Sequence, residues 1–367
     1  MAAKSNPPFH AEHIGSLLRP DELRRAFRSF SAGETSVEEF KSIQDRCIRG
    51  AVAMQEDVGL HGITDGEFRR TSYWSHFVEA VDGLGVAPAR FRFRDESGEE
   101  MEFLSPHVEG PVRRSRSYST GELEFLRAVT DRMPKLTMPS PPSMHFWAGS
   151  KFVDNGIYPS EEAYFDDLIK IYRDEIADAV AAGARYIQFD EVPLAMLCDP
   201  SLREALQVDG EDPGRRVNQY IDLMNACFRD RGEVTIGLHL CRGNFKGQWL
   251  SEGGYDFVAE RMFNELDVDV FFMEYDTPRA GDFAPLAHMP DDKSAILGLV
   301  SSKTPELEDI DELRRRIDDA ARHMPMDHLG ISPQCGFASA VTGNPVTYDD
   351  QVAKLRLVVD TAEKVWG

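Results

Sequence analysis

Short apolar runs alternate along this chain with longer segments in which apolar residues recur every three or four positions. The clearest long segment covers residues 36–58, where Phe40, Cys47 and Met54 belong to one apolar stripe. That spacing predicts an amphipathic helix with Cys47 on its buried face. Further helices are predicted at residues 20–29, 160–182, 255–265, 305–324 and 347–365.

The short apolar runs predict buried β-strands. They lie at residues 11–15, 60–70, 135–146, 184–191, 234–241, 268–276, 294–300 and 328–332. Strands that alternate with helices predict an α/β fold with a parallel sheet, and about eight such units favour a closed (βα)₈ TIM barrel over an open sheet. Residues 1–367 are expected to form a single barrel domain. Residues 86–117 break the rhythm and predict a hairpin-like excursion outside the barrel wall.

The composition is that of a globular protein, with 42% hydrophobic and 28% charged residues. The net charge of −22 argues against nucleic acid and anionic membranes as partners, because both require a basic surface. No apolar run has the length of a membrane span, and the N-terminus has no apolar signal core. Five irregularly spaced cysteines do not resemble a disulfide framework. We therefore expect a cytoplasmic protein.

Four residues at the ends of predicted strands suggest a metal site. His239 and Cys241 lie in GLHLCRGN, Glu274 in FFMEYD and Cys335 in ISPQCGF. On a strand, His239 and Cys241 point to the same face. One imidazole, two thiolates and one carboxylate suit the tetrahedral coordination of Zn²⁺. The alternative is a set of unrelated strand ends whose cysteines are buried as small hydrophobic residues.

Other acidic residues also follow predicted strands. Because the carboxyl ends of all strands in such a barrel share one rim, these side chains are expected to lie near the metal site. They are Asp65, Glu67, Asp190, Glu191 and Asp276.

Seven motifs spread over the chain resemble the cobalamin-independent methionine synthase family. They are HIGSLLRP, ITDGEFRR, YIQFDEVPLA, HLCRGN, EYDTPRAGDF, SSKTPELE and SPQCGFAS. The resemblance is to the catalytic C-terminal barrel and gives a single-barrel, methionine-synthase-like protein. It implies a zinc-dependent S-methyltransferase of methionine biosynthesis, in which a zinc-bound thiolate of homocysteine or a similar small thiol accepts the methyl group. A relative, epoxyalkane:coenzyme M transferase, implies the alternative of thiol addition to an electrophile other than a folate.

The resemblance assigns roles to individual residues. The zinc ligands of the family fall on His239, Cys241, Glu274 and Cys335. The family contacts for homocysteine fall on Ile14 and Ser16, whose backbone would hold the carboxylate, and on Glu67 and Asp190, which would hold the ammonium group. For Ser16 a helix cap, and for the two acids solvated loop carboxylates, are the alternatives.

At two positions that the family uses for folate, this chain has a different residue. The catalytic histidine of the family aligns with Lys303, and a glutamate that binds the pterin aligns with Met196. Trp147 aligns with a tryptophan that stacks on the pterin. We therefore expect Lys303 and Asp190 as catalytic residues, Trp147 as a substrate contact, and a methyl or alkyl donor other than methyltetrahydrofolate.

Two other classes of function stay open at this point. A lyase resembling the uroporphyrinogen decarboxylase barrels needs no zinc and gives His239, Cys241 and Cys335 no role. A non-catalytic zinc-binding or zinc-storage barrel predicts a closed metal site with no adjacent acidic pocket. Zn²⁺ is the expected cofactor, and a small thiol and an alkyl donor are the expected partners. A donor protein and a homo-oligomer are neither predicted nor excluded.

Overall fold

The computed structural model of the chain describes residues 7–95, 97–147 and 156–367. In these ranges the strands are β1 (Gly62–Ile63), β2 (Val81–Pro88), β3 (Phe93–Arg94), β4 (Glu100–Met101), β5 (Leu104–Arg114), β6 (Met133–Pro134), β7 (Leu136–Pro139), β8 (Tyr186–Glu191), β9 (Thr235–Leu240), β10 (Val270–Glu274), β11 (Ser294–Val300) and β12 (Leu329–Pro333). The helices are α1 (Asp21–Ser31), α2 (Val37–Asp57), α3 (Ser75–Ala80), α4 (Thr120–Val129), α5 (Glu161–Ala181), α6 (Pro193–Met196), α7 (Pro200–Val208), α8 (Pro213–Phe228), α9 (Asp256–Glu265), α10 (Ile310–Ala320) and α11 (Tyr348–Trp366). Short 3₁₀ helices lie at Pro141–Met144, Pro278–Ala280, Ala284–His288 and Met326–His328.

Strands β7 to β12 form one parallel sheet in which each strand pairs with its neighbour in the sequence. Strand β1 pairs in parallel with β6, and β6 continues through Lys135 into β7. At the other edge, Ala11 forms a parallel bridge with Ile331 of β12. The strand positions thus follow one another around a (βα)₈ barrel, as the alternation of strands and helices predicted.

Local sequence determines where the helices begin. Ser36 caps α2, since its hydroxyl accepts a hydrogen bond from the Glu39 amide, and Cys47 is buried on the inner face as predicted. Helix α10 is shorter than the predicted 305–324, because the Asp309 side chain accepts from the amides of the first turn and starts the helix there. Helix α4 was not predicted. No helix among the described residues is long and apolar enough to cross a membrane.

The predicted excursion is an antiparallel hairpin of β2 and β5, with the small pair β3–β4 near its tip. Its paired residues run from 81 to 114, slightly earlier than the predicted 86–117. The hairpin folds back onto the barrel, because Arg94 and Trp249 exchange two backbone hydrogen bonds of 2.9 and 3.0 Å. Since Trp249 lies in the loop after β9, the hairpin covers the carboxyl ends of the strands.

The predicted strand at residues 11–15 is only a single bridge at Ala11, and residues 13–16 are held mainly by side chains from other segments. The Ile14 carbonyl accepts from Gln188 Nε2 at 2.6 Å, and the Gly15 carbonyl accepts from Thr64 Oγ1 at 2.7 Å. The His13 carbonyl accepts from the buried ammonium group of Lys135. Gly15 has φ +137°, and a Cβ there would lie 2.6 Å from Thr137 Cγ2. These contacts fix the backbone of residues 13–16 at the top of the barrel.

Candidate active site

Three side chains from two strands converge at the carboxyl end of the barrel. His239 lies on β9 and Cys241 follows it, so both point to the same face, and Cys335 comes two residues after the end of β12. Their ligand atoms all lie within 4.8 Å of one another, and all three residues are buried. The two sulfur atoms are 3.6 Å apart. The structure thus brings together three of the four predicted metal ligands.

The geometry of this cluster fits a tetrahedral zinc ion. Two thiolates bound at about 2.3 Å in a tetrahedron lie about 3.8 Å apart, close to the observed separation. Neither ring nitrogen of His239 has a hydrogen-bond partner among the described residues, although both are buried. Buried polar atoms without partners are costly, and a bound metal ion would satisfy one of them. The sulfur atoms are free thiols and not a disulfide.

The fourth predicted ligand, Glu274, lies at the end of β10 but is engaged elsewhere. Its Oε1 atom lies 2.9 Å from Lys303 Nζ, and its Oε2 accepts from the Arg242 amide at 3.2 Å. Burial acts to raise the pKa of Glu274, but the charges of Lys303 and Arg242 outweigh it and the pKa is lowered. Burial likewise acts to lower the pKa of Lys303, and Glu274 and Asp276 raise it on balance. Lys303 is therefore an ammonium ion in this structure.

The two thiols influence each other strongly. Their contact lowers the pKa of Cys335 well below its ordinary value, and His239 adds to this effect against the opposing effect of burial. The same contact, together with burial, raises the pKa of Cys241. Cys335 is thus the thiol that ionises more readily, and a cation bound to the pair would favour the thiolate form of both.

A cavity of about 400 Å³ lies next to the cluster. His239, Cys241 and Cys335 line it on one side. All five residues predicted to contact substrate line it as well: Ile14, Ser16, Glu67, Trp147 and Asp190. A closed zinc-storage site would have no such acidic pocket beside it.

Two buried carboxyl groups face this cavity. Burial raises the pKa of Asp190 to about 7, and the nearby Glu67 adds to the increase. Burial also raises the pKa of Glu67, against the effects of Arg70 and Arg19. Asp190 accepts one hydrogen bond from Gln188 at 2.9 Å, whereas Glu67 Oε2 has no partner among the described residues. A cationic group in the cavity would favour the ionised form of both acids.

Glu67 has a backbone conformation that few residues adopt. Its φ is +61°, and its amide donates to Asp65 Oδ1 at 2.8 Å. Its Oε1 atom accepts from Thr137 Oγ1 at 3.1 Å and lies 3.8 Å from Arg70. Backbone conformations of this kind cost free energy and cluster at functional sites. The surrounding contacts keep the Glu67 carboxylate at the cavity wall.

Aromatic side chains form much of the remaining wall. The hairpin contributes Phe93 and Phe103, which contact each other with ring centroids 4.8 Å apart, and Phe103 meets Trp147 at 5.4 Å. This aromatic wall was not predicted from the sequence, although Phe93 and Phe103 are large apolar residues in an otherwise polar segment. Among the lining residues that the structure describes, none is a lysine or an arginine. The other aromatic lining residues are Tyr73, Trp74 and Phe245.

Two residues singled out on the folate side lie away from the cavity. Lys303 is buried beside Glu274 and is not a lining residue. Met196, in α6, is fully buried in the apolar core and does not line the cavity either. Trp147, by contrast, lies at the cavity wall as expected for a substrate contact.

Residues 9–364 match the family model described as the catalytic domain of cobalamin-independent synthase. The chain belongs to this family. The match covers nearly the whole sequence and agrees with the resemblance found in the seven motifs.

The chain covers nearly all of one relative and less than half of another. It is 38% identical to the uncharacterized protein YxjH of Bacillus subtilis, over 98% of this chain and 95% of that protein. It is 22% identical to the 5-methyltetrahydropteroyltriglutamate–homocysteine methyltransferase of Thermotoga petrophila, over 98% of this chain but only 44% of that enzyme. The chain thus spans less than half of that enzyme.

Solved structures share the fold. A structural-genomics target from Listeria monocytogenes, assigned as a vitamin-B12-independent methionine synthase, superposes with a TM-score of 0.75 at 31% identity, over 98% of both chains. A B12-independent methionine synthase from Shewanella sp., solved in complex with selenomethionine, gives a TM-score of 0.74 at 19% identity, over 97% of both chains. At that identity, the second comparison concerns the fold alone.

A pH dependence of stability follows from Glu191, next to Asp190. Burial raises the pKa of Glu191 to about 7. Between about pH 4.5 and 7 the folded state holds a proton that the unfolded state has released, so stability falls as pH rises across this window and then levels off. Between pH 5 and 8 the wild type should lose about 2–3 kcal/mol more than Glu191→Gln, whose amide does not ionise. Urea denaturation at several pH values measures this, with the exposed Glu162→Gln as control. Parallel pH curves for wild type and Glu191→Gln would contradict it.

Proposed function

We propose that this protein is a zinc-dependent S-methyltransferase that transfers a methyl group to the thiol of homocysteine or a similar small thiol. The observation that carries the proposal is the position of His239, Cys241 and Cys335 beside a cavity lined by two buried acidic residues, Glu67 and Asp190. Membership of the synthase family supports the same reaction class. We further propose that residues 1–367 act as one catalytic unit in the cytoplasm, and its free, buried cysteines suit a reducing compartment.

His239, Cys241 and Cys335 would hold the zinc ion, with Glu274 as the fourth ligand. When bound, zinc would keep a substrate thiol in its nucleophilic thiolate form at neutral pH. A ligand set with two thiolates and a carboxylate has a formal charge of −1 and so leaves bound sulfur electron-rich. The buried position of the cluster limits competition from water.

The acceptor thiol would bind between residues 13–16 and the carboxyl groups of Asp190 and Glu67. The carbonyl groups of residues 13–15 accept hydrogen bonds from side chains of other segments, and the Ser16 carbonyl accepts one from the Phe337 amide at 3.0 Å, which fixes the orientation of the backbone at Ile14 and Ser16. Both residues line the cavity, where their backbone would hold the substrate carboxylate. Asp190 and Glu67 would hold the ammonium group. Asp190, with a pKa of about 7, is also suited to receive the thiol proton.

The donor would occupy the aromatic part of the cavity. Phe103 and Trp147 offer an apolar surface, and the lining residues that the structure describes include no lysine or arginine to pair with an anionic tail. Lys303, paired with Glu274 outside the cavity, is not placed to protonate a departing pterin nitrogen. These features support a small, uncharged methyl or alkyl donor over a folate polyglutamate.

Loss of one cysteine ligand should remove the metal. We expect one zinc ion per wild-type chain and a large loss of zinc from Cys335→Ser, because a hard hydroxyl group replaces a soft thiolate. Cys47→Ser, in the apolar stripe of α2, is the matched control and should keep its zinc. Elemental analysis of the purified proteins makes the measurement. Full zinc occupancy in Cys335→Ser would show that the ligand assignment is wrong.

The ammonium contact predicts a selective loss of affinity. Asp190→Asn should weaken homocysteine binding by about 10- to 100-fold, since a hydrogen bond to a charged group is lost. Binding of 4-mercaptobutyrate, which has the same thiol and carboxylate but no ammonium group, should change much less. Calorimetry with both thiols tests this. Equal losses would instead indicate a structural role for Asp190 and favour an acceptor such as coenzyme M.

The donor site predicts poor use of folate. Absence of a positioned proton donor typically reduces a rate by about 10²–10⁴-fold, so turnover of homocysteine with methyltetrahydrofolate should be slow or undetectable. Transfer from smaller or more reactive methyl donors should be faster. Steady-state assays of the zinc-loaded protein with matched donors decide between these outcomes. Efficient turnover with methyltetrahydrofolate or its polyglutamate would make the protein a shortened but conventional methionine synthase.

A further inference from the structure

The ion pair between Lys303 and Glu274 gives the proposed fourth ligand a second position. Lys303 Nζ lies 2.9 Å from Glu274 Oε1, and the Arg242 amide donates to Oε2 at 3.2 Å. Both side chains are buried, with 5% and 3% of their surface exposed. The carboxylate is thus fully compensated while it lies outside the cluster of His239, Cys241 and Cys335.

The backbone of Glu274 is fixed while its side chain has this alternative position. Tyr255 accepts a hydrogen bond from the Glu274 amide at 2.9 Å and donates one to its carbonyl at 3.2 Å. Glu274 ends β10, and Lys303 follows β11, the strand that pairs with it. These backbone contacts leave the side chain of Glu274 as the part that would move between the ammonium group and the metal cluster.

Lys303 is not among the residues that line the cavity. Besides Glu274, the charge of Lys303 also acts on Asp276, whose two carboxylate oxygens are buried. The positive charge of Lys303 thus stabilises the carboxylates of Glu274 and Asp276 near the metal cluster. Removal of this charge would leave a displaced Glu274 carboxylate buried and unpaired, which is strongly unfavourable.

We propose that Lys303 is a positioning residue that receives the Glu274 carboxylate when the substrate sulfur takes its place among the metal ligands. The inference rests on the proposed function. In this exchange the substrate thiol would lose its proton to Asp190 and its sulfur would join His239, Cys241 and Cys335, while the Glu274 carboxylate would pair with Lys303. One anionic ligand replaces another, so the charge of the ligand set does not change.

The test compares Lys303→Met with Lys303→Arg, which keeps the charge. Lys303→Met should bind zinc several-fold more tightly in the absence of thiol, because no ammonium group competes for Glu274, and should bind homocysteine about tenfold more weakly. Chelator competition measures the first effect and calorimetry the second. Lys293→Met is the matched control, since Lys293 is a buried lysine at the opposite end of β11 and should behave as wild type.

X-ray absorption reports the exchange directly, independently of activity. On addition of homocysteine, the zinc of the wild type and of Lys303→Arg should gain one sulfur ligand and lose one oxygen ligand. In Lys303→Met the oxygen ligand should remain. A merely structural role for Lys303 would lower zinc affinity and would not raise it.

A double-mutant cycle with Glu274→Gln keeps the test valid if Lys303→Met folds poorly. Glu274→Gln and the double variant Lys303→Met/Glu274→Gln should bind homocysteine equally, because the amide needs no counter-ion. Unequal binding in this pair, or normal ligand exchange in Lys303→Met, would overturn the inference. Failure of the wild type to bind zinc, or to gain a sulfur ligand with homocysteine, would instead overturn the proposed function.

Discussion

The contact between Cys241 and Cys335 is the constraint on which the site depends. The two sulfur atoms lie 3.6 Å apart although 94 positions separate them in the sequence. Strands β9 and β12 are not neighbours, since β10 and β11 lie between them. Only a sheet curved into a barrel brings the ends of such strands together across its top. The metal chemistry proposed here therefore requires the closed curvature of the whole fold.

Much of this arrangement was predictable because it follows from short-range periodicity. The alternation in GLHLC placed His239 and Cys241 on one face, and the spacing of apolar runs gave the barrel, which the structure and the family comparison confirm. The pairing of Glu274 with Lys303 was not predictable, because it depends on the register between β10 and β11. The aromatic wall was missed for a similar reason, since Phe93 and Phe103 reach the cavity only when the hairpin folds back.

Buried charge is distributed unevenly around this barrel. Below the site, Lys135 pairs with Glu12 at 2.8 Å, and both are completely buried. The Lys135 ammonium group also donates a hydrogen bond to the His13 carbonyl, so this ion pair connects the barrel interior to residues 13–16. At the cavity itself, Asp190 and Glu67 have raised pKa values because burial disfavours their charge. The interior thus has a closely paired charge beneath the site and, at the cavity, two acids whose ionised form a bound cation would stabilise.

The hairpin formed by β2 and β5 starts and ends at one point of the barrel, because Val81 pairs directly with Arg114. The strands that carry His239, Cys241, Glu274 and Cys335 lie outside this insertion. Phe93 and Phe103 belong to the insertion, whereas the sulfur and imidazole groups belong to the barrel. Under the proposed function, a change in the hairpin would alter which electrophile fits the cavity, and a change in the barrel would alter how the thiol is activated.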